Sequence, residues 1–326
     1  MKQIVVKADK QEEDFNKDKL AASLLKAGAS GELSVSAADE VGKQFKNCMN
    51  TDDIYNRTLD QIKKNDPMAA LKYTLKRSIM SLGPDGFIFE KYAAKILEQN
   101  GYTTEMPPQI LSGFCVNHEV DIIAGRKDEN IMIECKFYND SGKKSDIKTA
   151  LYINSRFLDL KKGWENKNSS KSEVYNKEDN NKVSQEGNYE HNSGSNNKLA
   201  AVYEDNPENP YVNKLTNTYY FTGAWLFTNT KCSLDAIKYA KCSGMKITAW
   251  NYPENESLQF YIESKKLYPI TILSTLSKNH KRKLFEKNIL TIKELLALQI
   301  GDLIGFLSLD DNYAAKVLDE ISLLSS

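Results

Sequence analysis

Apolar and polar positions alternate with a period of two along Val120–Ala124 and again along Ile131–Phe137, and the run Gly125–Asn130 between them is rich in turn formers. The pattern predicts two short antiparallel strands. Upstream, Ile4–Lys7 reads as an apolar strand followed by a polar turn. Phe15–Ala27 and Ser36–Met49 then read as amphipathic helices. Thr51, followed by Asp52 and Asp53, is placed to cap a third helix. A fourth follows Pro67, with Ala70, Tyr73, Leu75 and Ile79 on its inner face, so residues 1–84 become a strand with a small helical bundle. Downstream, Ser145 is placed to cap a helix to about Lys162, with Ile147, Leu151, Phe157, Leu158 and Leu160 as its core stripe. Tyr219–Asn229, Ser233–Ser243 and Met245–Trp250 read as strand, helix and strand. From Tyr268 the pattern is helical, with Gly301 and Gly305 between amphipathic segments.

One stretch breaks the periodicity. Residues 164–216 are dominated by Asn, Ser, Lys, Glu and Gly, too poor in apolar side chains to build a core, and are expected to be a disordered low-complexity insertion. The expected fold is therefore α+β and multidomain. A mostly helical unit spans 1–84, a mixed sheet flanked by helices spans 85–163 and 217–264, and a small helical unit spans 265–326.

Charge adds a constraint. With 44 basic and 44 acidic residues the net charge is zero, so attraction to nucleic acid must come from local patches. No apolar run reaches the length of a membrane span, and the first residues carry no apolar targeting segment. Five widely spread cysteines without a Cys-x-x-Cys pair fit reduced thiols in a cytoplasm.

The candidate chemistry lies on the two central strands. Their alternation sends Asp121, Glu134 and Lys136 toward one face. Two converging carboxylates repel, and Asp121, Glu134 and the Cys135 carbonyl are the oxygen donors that magnesium or manganese accepts. A metal so held activates water and polarises a phosphoryl oxygen, while Lys136 offsets developing charge. The alternative is a Glu-x-Lys on a solvated strand face.

An acid followed by Glu-x-Lys, behind a Glu-bearing helix, resembles the PD-(D/E)xK nuclease superfamily, and Gly86–Tyr102 is similar to the first helix of its Mrr-like restriction endonucleases. The resemblance implies Asp121 and Glu134 as metal ligands, Lys136 as the catalytic lysine and Glu90 as an outer carboxylate, although Mrr proteins usually carry Gln-x-Lys. Val5-Val6-Lys7 with Glu13, Asn16, Lys19 and Thr51 resembles an ATP-cone, which implies ATP or dATP as an allosteric ligand held by those residues. Ala8 and Lys10 depart from that pattern. Lys143, Lys144, Lys148 and Arg156 would be free to meet a phosphate backbone. Residues 265–326, with Lys281 and Arg282, are similar to helix-hairpin-helix units, whose glycine turns approach phosphates. His118 is a further candidate phosphate contact, and Thr228–Lys231 a candidate substrate-side loop.

The expected function is a nucleotide-regulated, metal-dependent DNA endonuclease working as a homo-oligomer, because a duplex cutter needs two active sites. The rival is a catalytically silent, nucleotide-responsive DNA-binding regulator.

Overall fold

The computed structural model describes residues 3–7, 10–84, 86–106, 109–140, 142–178, 212–213 and 218–325. The chain is α+β. Its first unit runs β1 (Ile4–Val6), β2 (Glu12–Asp14), α1 (Lys17–Lys26), α2 (Gly31–Lys43), β3 (Cys48–Asn50), α3 (Thr51–Lys63) and α4 (Pro67–Met80). A three-stranded sheet of order β2-β1-β3 thus replaces the expected lone strand. The residues read as a polar turn include β2, antiparallel to β1, while β3 runs parallel to it. The second helix begins earlier than its apolar pattern suggested because the Ser30 side chain accepts from Leu33 N at 3.2 Å, and it ends before Cys48–Asn50 joins the sheet. The third is capped by Asn50, which accepts from Asp53 N at 2.8 Å, so Thr51 is its first residue and not its cap.

The central unit runs α5 (Phe87–Gln99), β4 (Thr103–Glu105), β5 (Gln109–Ser112), β6 (Asn117–Val120), β7 (Ile122–Arg126), β8 (Glu129–Lys136), β9 (Lys144–Ser145) and α6 (Ile147–Glu178). It continues through β10 (Val212–Asn213), β11 (Thr218–Tyr219), β12 (Gly223–Thr228), β13 (Lys231–Cys232), α7 (Leu234–Ser243), β14 (Lys246–Thr248) and α8 (Leu258–Ser264). Its five-stranded sheet has the order β14-β12-β8-β7-β4. The β7–β8 hairpin is antiparallel and closes at Arg126↔Glu129, with Lys127 at φ 52°, so its turn is shorter than expected. Strands β12 and β14 extend the sheet in parallel with β8, as helical crossovers require.

Alternation along β7 and β8 sets the two faces. Ile122, Ala124, Ile131 and Ile133 pack with Phe89, Tyr92 and Ile96 of α5. Ile123 and Met132 pack on the opposite face with Ala150, Ile153 and Leu160 of α6 and Ala236 and Ala240 of α7. Leu151 and Leu158, read as core, are 43% and 54% exposed because the sheet meets the Ala150–Ile153–Leu160 face instead. Helix α6 is capped by Asp146, which accepts from Thr149 N at 3.0 Å, while Ser145 belongs to β9. It extends to Glu178, so the first part of the segment expected to be disordered is helical. The rest of that segment, apart from β10, lies outside the described residues, as does Ala8.

The last unit comprises α9 (Lys278–Glu286), α10 (Ile292–Leu296), α11 (Ile300–Leu307) and α12 (Asp311–Ser325). Gly301 and Gly305 lie inside α11 and not in phosphate-approaching turns; Asn288 and Ser308 take the left-handed turn positions, at φ 58° and 57°. Leu284, Leu290, Ile292, Val317 and Ile321 share one apolar cluster with α4, α5 and the sheet, so this unit is packed into the main body.

Candidate active site

Asp121 falls between β6 and β7, level with the end of β8, where the ladder between β7 and β8 gives way to a side-chain contact. Its Oδ2 accepts from Cys135 N at 2.7 Å. Glu134 and Lys136, two residues apart on β8, point to the α6 side and join at 2.6 Å. Glu134 is 3% exposed. An unpaired carboxylate buried to that degree would cost several kcal/mol or take up a proton. A second cation prevents this: the Arg156 guanidinium, from α6, pairs with Glu134 Oε2 through Nη1 and also reaches Glu119 O at 2.6 Å. It lies over the Tyr152 ring at 4.6 Å and hydrogen-bonds its hydroxyl. Arg156 is therefore not an arm free to meet phosphate. It faces inward because the helix turns residue 156 toward the sheet edge, and its buried Nε has no hydrogen-bond partner.

The electrostatics follow from crowding two acids and two cations. Burial and the Glu134 charge push the Asp121 carboxyl up to about 6, despite the opposing Cys135 N–H, Lys136 and Arg156. Burial disfavours the charge on Lys136, but its hydrogen bond to Glu134 and the Asp121 charge outweigh this and hold the ammonium above its ordinary pKa. Glu90 stands half-buried on α5, across the sheet from Arg156. It is close enough to Cys135 that, after burial and Asp121, its charge helps raise that thiol well above the usual range.

Asp121, Glu134 and Lys136 are thus brought together, with Glu90 at the same strand end from the other face. The donor set fits a hard divalent cation in part. Asp121 has only Oδ2 engaged and the Cys135 carbonyl follows directly after Glu134 in the chain, but both Glu134 oxygens carry cationic partners. Among the described residues no group of three or more His, Cys, Asp and Glu side chains forms a metal cage, so a main-chain carbonyl and water would complete any shell.

Other candidates are placed differently. His118 Nε2 contacts Asp159 Oδ2 at 2.8 Å, and Asp159 also accepts from Cys115 N and Val116 N, so His118 ties down the loop between β5 and β6. Thr228, Asn229 and Thr230 are fully buried; Asn229 brackets Tyr138 by accepting from its N–H and donating to its carbonyl, at 2.9 and 2.8 Å, which fixes the chain leaving β8. Lys281 turns inward to Thr271 O at 3.2 Å, and burial lowers its pKa, so it is not presented to DNA. Arg282 is exposed, bonded to Asn279, and Lys143, Lys144 and Lys148 are exposed.

In the first unit, Lys7 and Lys19 both pair with Glu13, at 2.7 and 2.9 Å, and hold its carboxyl below the usual range. Asn16 caps α1 by accepting from Lys19 N at 2.9 Å. Thr51 donates to Val6 O at 3.2 Å, and Val5 is buried beneath. The residues named from the ATP-cone resemblance therefore gather where β1 ends and two helices begin.

Residues 268–325 match the family described as AF1548-like, C-terminal. An uncharacterized protein of Archaeoglobus fulgidus is 34% identical over 180 residues, 55% of this chain and 70% of that protein. A solved structure titled as the protein of unknown function AF1548 aligns with 74% of this chain and all of that one, at 28% identity and a TM-score of 0.48. No helix of the described residues is long and apolar enough to cross a membrane. At that identity, over that share of the archaeal relative, the chain belongs to the AF1548-like family.

Proposed function

We propose that the protein is a metal-dependent DNA endonuclease of the PD-(D/E)xK type, regulated by an adenine nucleotide bound to its first unit. The observation that carries this reading is the convergence of Asp121, Glu134 and Lys136 at one strand end. Asp121, Glu134 and the Cys135 carbonyl would hold magnesium, which when bound supplies a water of lowered pKa and polarises a phosphoryl oxygen. Lys136 keeps its proton at Nζ and places positive charge beside the attacked phosphate, where a preorganised cation counts most. Arg156, stacked on Tyr152, balances Glu134 in the resting state. Glu90 adds negative charge from the far face, felt at Cys135, and would serve as an outer carboxylate.

For regulation, Lys7, Lys19, Asn16 and Thr51 surround two helix starts that suit polyphosphate, and Glu13 keeps the two lysines gathered in its absence. Nucleotide would act by binding one conformation or oligomeric state more tightly than another.

The test is hydrolysis of a labelled duplex oligonucleotide with magnesium, by wild type, Lys136→Ala and Asp121→Asn, with and without ATP or dATP. Cleavage by wild type with loss of at least about 100-fold in both variants is expected; equal rates in all three would end the catalytic reading. One observation favours the silent DNA-binding regulator instead: both Glu134 oxygens already have cationic partners. DNA binding without cleavage in wild type would establish that alternative.

A further inference from the structure

Strand β13 runs parallel to β9 in a register that sets Lys231 opposite Lys144. Both strands lie just beyond the ends of β12 and β8, which pair at Thr228↔Lys136, so the two ammonium groups continue the edge that carries the candidate active site. A third lysine arrives from the first unit. Lys76, on α4, is half-buried, and its pKa is lowered by burial and then by the charge of Lys231. Among the described residues none of the three has a carboxylate within ion-pair distance. Three cations gathered without a counter-charge repel one another and raise the cost of folding, unless an anion settles the balance.

We propose that Lys76, Lys144 and Lys231 form a clamp for the phosphodiester backbone of the nucleic acid that runs into the active site. This deepens the nuclease reading and rests on it for the choice of ligand. The consequence is architectural: a helix of the nucleotide-sensing unit touches the substrate directly. Displacement of α4 on nucleotide binding would then change DNA affinity without any other messenger.

The test uses the full chain carrying Asp121→Asn to prevent cutting, a fluorescein-labelled duplex oligonucleotide, and anisotropy over a potassium chloride series. Each of Lys76→Gln, Lys144→Gln and Lys231→Gln is expected to reduce the slope of log affinity against log salt by about one, and the triple variant by about three. Lys238→Gln, an exposed lysine beside Asp235, serves as the control and should leave the slope unchanged. Thermal midpoints of the variants should equal or exceed the parent's, which separates lost contacts from lost folding.

An unchanged slope in the triple variant, or no DNA binding by the parent, overturns the clamp. Calorimetry with ATP distinguishes the other phosphate source: loss of ATP binding in the triple variant with an unchanged DNA slope would assign the lysines to nucleotide and also overturn it. Failure of the nuclease reading looks different, as absent cleavage by the chain with Asp121 intact while the slopes still fall.

Discussion

Asp121 is the residue whose chemistry is most altered by its surroundings. Its carboxyl is pushed up to about 6 from 3.8 by burial and by Glu134, so the folded chain holds this proton more tightly than the unfolded chain does. Its contribution to stability is therefore full below the unfolded pKa and is lost as pH rises through about 6. In the absence of divalent cation, Asp121→Asn is expected to melt a few degrees above wild type at neutral pH, with the gap closing as pH falls toward 4, as followed by differential scanning calorimetry. Arg156 has the opposite sign. Its loss in Arg156→Ala leaves a 3%-exposed Glu134 with Lys136 alone, and a cost of about 3 kcal/mol is expected in urea unfolding. Cys135, whose thiol burial and nearby acids raise well above the usual range, should resist iodoacetamide in the native protein while exposed Cys48 and Cys242 react, as read by mass spectrometry. At this scale Glu134 and Lys136 were legible because alternation along β8 fixes their face, and Asp121 because it stands immediately before β7, opposite them. Arg156 was not, because its direction depends on how α6 docks; the available signal was a buried Glu134 in need of more cationic charge than one lysine provides.

Elements were legible where pattern and caps agreed. The β7–β8 hairpin, α7 and β14 follow from alternation and helical period, α5 came only from the likeness of Gly86–Tyr102 to a known helix, and the α7 cap at Ser233 is a local side-chain hydrogen bond. Three-residue strands such as β2 and β3 exist only because β1 lies between them, and no local pattern marks them. The inward face of α6 was misjudged for a related reason. Leu151 and Leu158 look like core, but small Ala150 and Gly163 let the helix approach the sheet and the β5–β6 loop. A Cβ on Gly163 would stand 2.6 Å from Gly113 C and 2.8 Å from Phe114 N, both backbone atoms that cannot swing aside. Gly163→Ala is thus expected to cost about 1–3 kcal/mol, measured by chemical denaturation, although alanine is the better helix former.

Across the whole molecule the units are fastened to each other rather than strung along a chain. Tyr92 donates to Leu267 O at 2.6 Å, Thr271 donates to Ser78 O at 2.7 Å, and Lys95 pairs with Glu294, so the segment leading into the last unit is bonded to α5 and α4, and α10 to α5. The sequence pattern showed an amphipathic helical tail but not what its apolar faces cover, which is the same cluster that supports the central sheet. One cation between Asp121 and Glu134 would draw on all of this, since α5, the sheet and α6 each set part of its surroundings. The most direct test is a calorimetric titration of the metal-free protein with manganese. Binding by wild type that weakens at least about tenfold in Asp121→Asn and in Glu134→Gln is the expected result; no binding by wild type, or the same affinity in all three, would contradict the account.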